Sequence, residues 1–447
     1  MNSTAWTILP IPQGSRPVYV SSSRGNDTAD GATPGNPVRS LARAHDLLRD
    51  GSGDQMLLQR GDVWDATAGL GWPAWRKSGA SASEPLVIGT FGDGPRPHLA
   101  SGLWSAMTFN GNAAPIRFVA IMGITAAPVG YNGLNSDCAG IDATNGCEDF
   151  FIEDCRFEGY FHGISVQWAG GSLQPKRWKV RRSVVLDCYH QTAHAQGVWG
   201  GSVDGFTLEE CILDHNGWKA GVAEPTMYNH NTYFDAGCRN VVLDRCISTR
   251  ASQNGLHFRG GGVMTGCLLV DNPVNIAVGG NGADVTLRGN TVLGSARVGQ
   301  GIDVADARDL LVEDNLIAHA RGTGLSNCRG LLYQGFPYQS LYSVGNVVHD
   351  WADASAPPSH SVAFIDNSPA GTRKRIADLI DRPASAYPDA SRDIEGYMRS
   401  VLCPIPTRDA FFTQIRAQCR DNWRPQLEAA AVNAWIRAGF NMGAPAT

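Results

Sequence analysis

Eight short segments between residues 152 and 348 share one pattern, and that pattern limits the fold more than any other feature. Their small polar members are Cys155, Ser183, Cys211, Cys246, Cys267, Asn290, Asn315 and Asn346. Each segment carries apolar residues around the small one, as in Leu208-Glu209-Glu210-Cys211-Ile212-Leu213. The steps between them are 28, 28, 35, 21, 23, 25 and 31 residues. Such uneven steps exclude a short tandem-repeat solenoid and fit coils of variable length stacked in parallel. A column of Cys, Ser and Asn then satisfies a buried turn by side-chain hydrogen bonds along the stack.

A second column runs beside the first. It contains Gly163-Ile164-Ser165-Val166-Gln167, Gly197-Val198-Trp199, Thr232-Tyr233-Phe234-Asp235 and Gly255-Leu256-His257-Phe258-Arg259. It continues through Asn275-Ile276-Ala277-Val278, Gly301-Ile302-Asp303-Val304 and Gly324-Leu325-Ser326. Read as strands, Leu256 and Phe258 point inward while His257 and Arg259 point outward. Parallel stacking puts Tyr233 beside His257 and Asp235 beside Arg259, roughly 5 Å apart. The outward face also carries Gln167, Trp199 and Asp303. The longest step, from Cys211 to Cys246, holds a loop over 215–230 with Trp218, Lys219, Tyr228 and His230. His190 and His194 lie in the loop of the coil before. A long loop on a regular scaffold is a common place for a binding site.

Composition supports a folded, turn-rich all-β chain. Of 447 residues, 43% are hydrophobic, 18% are charged and 52 are Gly. A net charge of −5 argues against nucleic acid as partner. No apolar run is long enough to span a membrane. Met1-Asn2-Ser3-Thr4 begins no charged-then-apolar leader, which leaves an intracellular protein or a leader outside this sequence. The 11 cysteines form no CxxC pair, so no zinc ribbon is expected. Cys155, Cys211, Cys246 and Cys267 read as buried thiols. Cys138 with Cys147, and Cys403 with Cys419, are candidate local disulfides.

Three regions follow. Residues 1–63 hold a strand, Val18-Tyr19-Val20, and a helix with Leu41, Ala44 and Leu48 on one face; this helix suits a cap on an open β stack. Residues 64–350 hold the coils. Ala356-Pro357-Pro358 marks a linker, and residues 351–447 read as a helical segment packed on the stack. Its helices are expected at 372–382, 391–401, 408–420 and 425–438, the last with Leu427, Ala431, Ala434, Trp435 and Ala438 on one face.

The opening strand and helix, Met56-Leu57-Leu58-Gln59-Arg60-Gly61-Asp62, and the run from Pro85 to Leu99 resemble the N-terminal part of pectate-lyase-like proteins. The resemblance implies a right-handed parallel β-helix over about residues 17–350. It also implies a secreted or periplasmic enzyme, acting as a monomer on a polysaccharide. Leu256-His257-Phe258-Arg259-Gly260 is similar to the strand that carries the catalytic Arg of β-helix lyases of the chondroitinase B and alginate lyase type. Those lyases place a Lys base in the preceding coil. Here that stretch is Asp235-Ala236-Gly237-Cys238-Arg239-Asn240, without a Lys, which speaks against their Lys/Arg mechanism and their calcium site. No motif calls for a metal or another cofactor.

The outward residues suit β-elimination from a uronic-acid polymer. Arg259 would pair with the uronate carboxylate and acidify the C5 proton. Neutral His257 or ionised Tyr233 would take that proton, and Tyr233 or His230 would protonate the leaving oxygen. Asp235 would orient its neighbours or bind a cation, and Lys219 is a further base. Trp199, Trp218 and Tyr228 would stack on sugar rings, with His194, Asp303 and Gln167 as further contacts. A glycoside hydrolase is the alternative. It needs two carboxylates roughly 5–10 Å apart. Asp235 and Asp303 are roughly 14 Å apart by strand spacing, so Glu224 or Asp214 would have to replace one. A glycan-binding β-helix without catalysis is the third reading.

Overall fold

The computed structural model describes residues 5–279, 282–322, 325, 328–334, 338–353, 362–364, 371–402 and 406–444. They form two compact units, Met1–Thr207 with Lys219–Glu224, and Leu208–Trp218 with Pro225–Thr447.

In the first unit every coil contributes up to three strands, and each strand pairs in parallel with its counterpart one coil on. One ladder is Pro17–Val20, Gln55–Gln59, Leu86–Phe91, Ile116–Met122, Cys147–Glu153 and Lys176–Arg181. The second is Val63–Asp65, His98–Ala100, Thr125–Ala127, Arg156–Glu158 and Val184–Leu186. The third is Met107–Asn110, Ala139–Thr144, His162–Gln167 and Gln196–Gly201. The expected helix spans Leu41–Leu47. Ser40 caps it, its Oγ accepting from Arg43 N, and Leu41, Ala44 and Leu48 are buried.

The second unit repeats this plan. Its third ladder is His230–Phe234, Asn254–Phe258, Val274–Val278, Gln300–Val304, Arg329–Tyr333 and Val362–Phe364. Ile302 pairs with Leu331. The fifth strand of this ladder is therefore Arg329–Tyr333 rather than the 324–326 expected from spacing. Gly324 and Ser326 lie outside the described residues.

The small-polar column is interior. In the second unit Cys211, Cys246, Cys267, Asn290, Asn315 and Asn346 are at most 1% exposed. Cys246 Sγ donates to Leu208 O and Cys267 Sγ to Leu243 O, each one coil back. Asn290 Oδ1 accepts from Cys267 N at 2.9 Å, Asn315 Oδ1 from Asn290 N at 2.9 Å, and Asn346 Oδ1 from Asn315 N at 2.9 Å. In the first unit Ser183 Oγ accepts from Cys155 N at 3.1 Å. The cause lies one residue earlier. Asp154, Arg182, Glu210, Arg245, Gly266, Gly289, Asp314 and Gly345 all have left-handed backbone, with φ between 42° and 71°. This two-residue corner exposes an N–H to the interior, and the side chain of the next coil takes it up. Leaving one such buried N–H unpaired costs about 1–3 kcal/mol.

The C-terminal part departs from expectation in two places. Residues 372–382 are not a helix. Arg373–Ile380 is a strand paired in parallel with Ser340–Asp353, so the stack runs past residue 350. Asp378 takes the next place in the column, its Oδ1 accepting from Asn346 N and Nδ2. This end strand carries Arg373, Lys374 and Arg375, exposed charges that discourage edge-to-edge pairing. Helical turns follow at Ile394–Tyr397, Met398–Leu402, Arg408–Arg416 and Ala429–Gly439. The last helix buries Val432, Asn433, Ile436 and Arg437 rather than Ala431, Ala434, Trp435 and Ala438. Polar atoms rather than apolar spacing select that face. Asn433 Nδ2 donates to Gly266 O at 2.8 Å, and Arg437 Nη2 pairs with Asp314 at 2.7 Å. Both partners are corner residues.

Cys138 and Cys147 are separate buried thiols, not a disulfide. Cys138 lies just before the strand Ala139–Thr144 and Cys147 opens the next, and each Sγ donates to a backbone carbonyl, Trp104 O and Thr144 O respectively. Cys419 is likewise a thiol, and Cys403 lies outside the described residues.

Candidate functional site

In the second unit, strand alternation places Phe234, Leu256 and Phe258 in the core at 0% exposure and leaves Tyr233, His257 and Arg259 half-buried on the outer face. Phe234 pairs with Phe258, which sets Tyr233 beside His257. Their ring centroids are 4.7 Å apart, edge to face. His230 stacks on Tyr233 at 5.4 Å and meets the His257 ring at 5.2 Å. Arg259 Nη1 donates to Tyr233 Oη at 2.9 Å, and Arg259 Nε to Gly279 O at 3.3 Å. Four residues expected in one cluster are thus together.

Two orienting residues escaped the sequence reading. Asn254 Nδ2 donates to His257 Nδ1 at 3.0 Å, and Thr232 Oγ1 accepts from His257 N at 3.0 Å. With Nδ1 accepting, the neutral ring carries its proton on Nε2. Burial, then the neighbouring Arg259 cation, pull the His257 pKa down to about 3. The ring is therefore neutral across the physiological range and offers an N–H, not a lone pair, from Nε2. Nitrogen-15 spectra are expected to show the Nε2–H tautomer unchanged from neutrality down to about pH 5. A titration near the ordinary His value would contradict this geometry. By linkage, the unfolded state takes up a proton below about pH 6.5 that the native ring does not bind until about pH 3, so this residue lowers stability as pH falls through that window.

His230 does not face the groove. It is 3% exposed, and its Nδ1 accepts from Asn254 N at 3.2 Å. It shares the inward parity of Thr232 and Phe234, and its ring stacks against Tyr233. Asp235 lies just past the same strand. Its Oδ1 accepts from Gly237 N and Cys238 N at 2.9 and 3.1 Å, which shapes the turn. Trp218 is anchored by Nε1 donating to Arg250 O at 2.9 Å and packs on His215. Tyr228 is 54% exposed. Asp303 shares the outward row through His257, Ala277 and Asp303; burial raises its carboxyl pKa, against a hydrogen bond from Gln334 Nε2 at 2.7 Å.

The remaining expected residues belong to the first unit. Trp199 Nε1 donates to Gln167 Oε1 at 3.3 Å. His162, which the sequence reading passed over, stacks near Trp199 at 6.4 Å and donates Nε2–H to His194 O at 3.1 Å. Burial depresses its pKa to about 4. His194 is exposed. Lys219 Nζ sits 4.6 Å from the Tyr189 ring centroid.

Among the described residues, no group of three or more His, Cys, Asp or Glu is placed to hold a metal ion. Asp235, expected to orient its neighbours or bind a cation, uses Oδ1 to accept from its own turn. No helix is long and apolar enough to cross a membrane.

The family described as "Right handed beta helix region" matches residues 197–350. No curated protein matches the chain. Among solved structures, the chain is similar to a rhamnogalacturonan lyase at 11% identity, covering 89% of this chain and 98% of that one, with a TM-score of 0.45. It is also similar to a GH136 lacto-N-biosidase from Eubacterium ramulus, at 12% identity over 83% of this chain and 68% of the other, TM-score 0.45. Pectate lyase Pel9A matches at 10% identity over 84% of each chain, TM-score 0.42. The fold is a right-handed parallel β-helix.

Proposed function

We propose that this chain is a carbohydrate-active enzyme that cleaves a uronic-acid-containing polysaccharide by β-elimination, with Arg259, Tyr233 and His257 at its centre. The observation that carries the reading is the Arg259 Nη1 to Tyr233 Oη contact at 2.9 Å, with His257 edge-on to the same phenol. The guanidinium has five N–H groups in a fork. One goes to Tyr233 and one to Gly279 O, which leaves Nη2 directed at neither and suited to a uronate carboxylate. The same donor to Tyr233 Oη would stabilise a phenolate there.

The step then balances simply. Ionised Tyr233 takes the C5 hydrogen as a proton. The electron pair left on C5 forms the C4=C5 double bond as the C4–O bond breaks. The departing oxygen then receives that proton from Tyr233, which returns to its ionised form. Arg259 stabilises the negative charge spread onto the carboxylate in between. Of the two bases expected, His257 and Tyr233, the role falls to Tyr233, because the His257 Nδ1 lone pair already accepts from Asn254; His230 stacks on the Tyr233 ring. A monomer acting outside the cytoplasm is part of this proposal.

The test is an ultraviolet assay for the new double bond conjugated with the carboxylate, across acidic and neutral polysaccharides. New ultraviolet absorbance from an acidic polymer is the expected result. New reducing ends without it would make the protein a hydrolase, with Asp303 as the first carboxylate to examine. Binding with no product would leave only a glycan-binding role.

A further inference from the structure

The first unit contains a cavity of about 470 Å³ lined by none of the residues assigned above. Its lining includes Trp64, Trp72, Trp104, Thr108, Asp137 and Asp142. Trp104 is 64% exposed, an unusual state for an indole. Its loop is nevertheless fixed. Asn135 Nδ2 donates to Leu103 O at 2.6 Å, Ser105 Oγ donates to Asp137 O at 2.7 Å, and Ala106 N donates to Ala139 O at 2.8 Å. The backbone that carries the exposed Trp104 is thus tied down beside the cavity. Trp72 is also constrained: it stacks on buried Trp75 at 5.2 Å, and its Nε1 donates to Thr108 O at 3.3 Å.

The polar part of the lining has one sign. Asp142 lies in the strand Ala139–Thr144 and Asp137 in the loop just before it. The two are close enough that Asp137 adds to the burial that raises the Asp142 carboxyl pKa. Among the described lining residues there is no Lys, Arg or His. An anion would therefore meet only repulsion. A neutral sugar fits both halves of the surface: its C–H face lies on an indole, and its hydroxyls donate to carboxylate oxygens.

We propose that this cavity is a binding subsite for a neutral glycosyl unit, with Trp104 as the stacking platform and Asp137 and Asp142 as hydroxyl acceptors. The assignment does not depend on the Arg259 site, which is built for an acidic sugar.

The test is calorimetric titration of the full chain with neutral tetrasaccharides of galactose, glucose, mannose and xylose, and with tetragalacturonate as the charged match to galactotetraose. At least one neutral probe is expected to bind, and Trp104→Ala is expected to weaken it about tenfold or more, as loss of an aromatic stacking face does. Trp104 is exposed, so this variant folds. Arg259→Ala is expected to leave the neutral probe's affinity unchanged, which separates the two sites. The proposal is overturned if no neutral probe binds, if Trp104→Ala binds as the unaltered chain does, or if Trp104 supports tetragalacturonate as tightly as galactotetraose.

Discussion

Arg259→Ala is expected to lose about 10²–10³-fold in kcat/KM on an acidic polysaccharide, the usual effect of removing one stabiliser of developing charge. The loss has two parts. The uronate carboxylate would have no cation against which to spread the carbanion charge. Tyr233 Oη would lose the donor now 2.9 Å away. Arg259→Lys restores the charge but not the fork, so it should recover only part of the rate. Melting temperature should change little, because the side chain is half-buried on the outer face and lies outside the core column. Initial rates of double-bond formation, beside a thermal melt, decide the matter. A fully active Arg259→Ala would remove the site as drawn.

Tyr233→Phe is expected to lower kcat about 10²–10⁴-fold, the range for losing a proton-transfer group. The phenyl ring keeps its stack on His230 and its edge contact with His257, since both are ring contacts. Only the oxygen goes. KM should therefore move far less than kcat, because Arg259 still binds the carboxylate. The pair of variants also separates the reaction classes. In a hydrolase Tyr233→Phe would be mild, and Asp303→Asn would become the severe change. A Tyr233→Phe enzyme with more than about a tenth of the original kcat would pass the proton-transfer role to another group.

The chain showed its coils readily because two periodicities coincide. The Cys, Ser and Asn positions mark a corner that must be satisfied, and alternation in Leu256-His257-Phe258 marks which side chains leave the core. Tyr233 beside His257 followed from register alone. Other features lay beyond that logic. Asn254 reaches His257 only three-dimensionally, across the start of one strand. His230 shares the parity of buried Thr232 and Phe234, so alternation already placed it inward, and reading it as a proton donor set that aside. Arg373–Ile380 looked helical because its apolar residues cluster at one end; pairing with a neighbouring strand settles it as β. Trp72 and Trp104 lie in connecting segments without period, so no spacing announced the cavity they line together with Trp64 of the strand Val63–Asp65.

The left-handed corner has a consequence for how such a chain can change. At the corners from Asp154 to Asp314 the strand before and the strand after are separated by two residues, as in Cys147–Glu153 and Arg156–Glu158, or Arg239–Asp244 and Ile247–Thr249, while the strand Ser340–Asp353 runs through the last corner. The segment leading into the third ladder varies widely instead, from Gly159–Phe161 to the stretch between Asp214 and His230. Length variation thus falls outside the corner and is widest in this seam, next to the strands that carry the outward residues; the segment after the third ladder varies less, from two residues after Gly201 to eight after Gln167. The seam behaves as a cassette: its segments can be exchanged for longer or shorter ones while the interior register stays locked. New specificities on this scaffold should arise by grafting at that seam, and transplanting a corner should instead misalign every coil that follows.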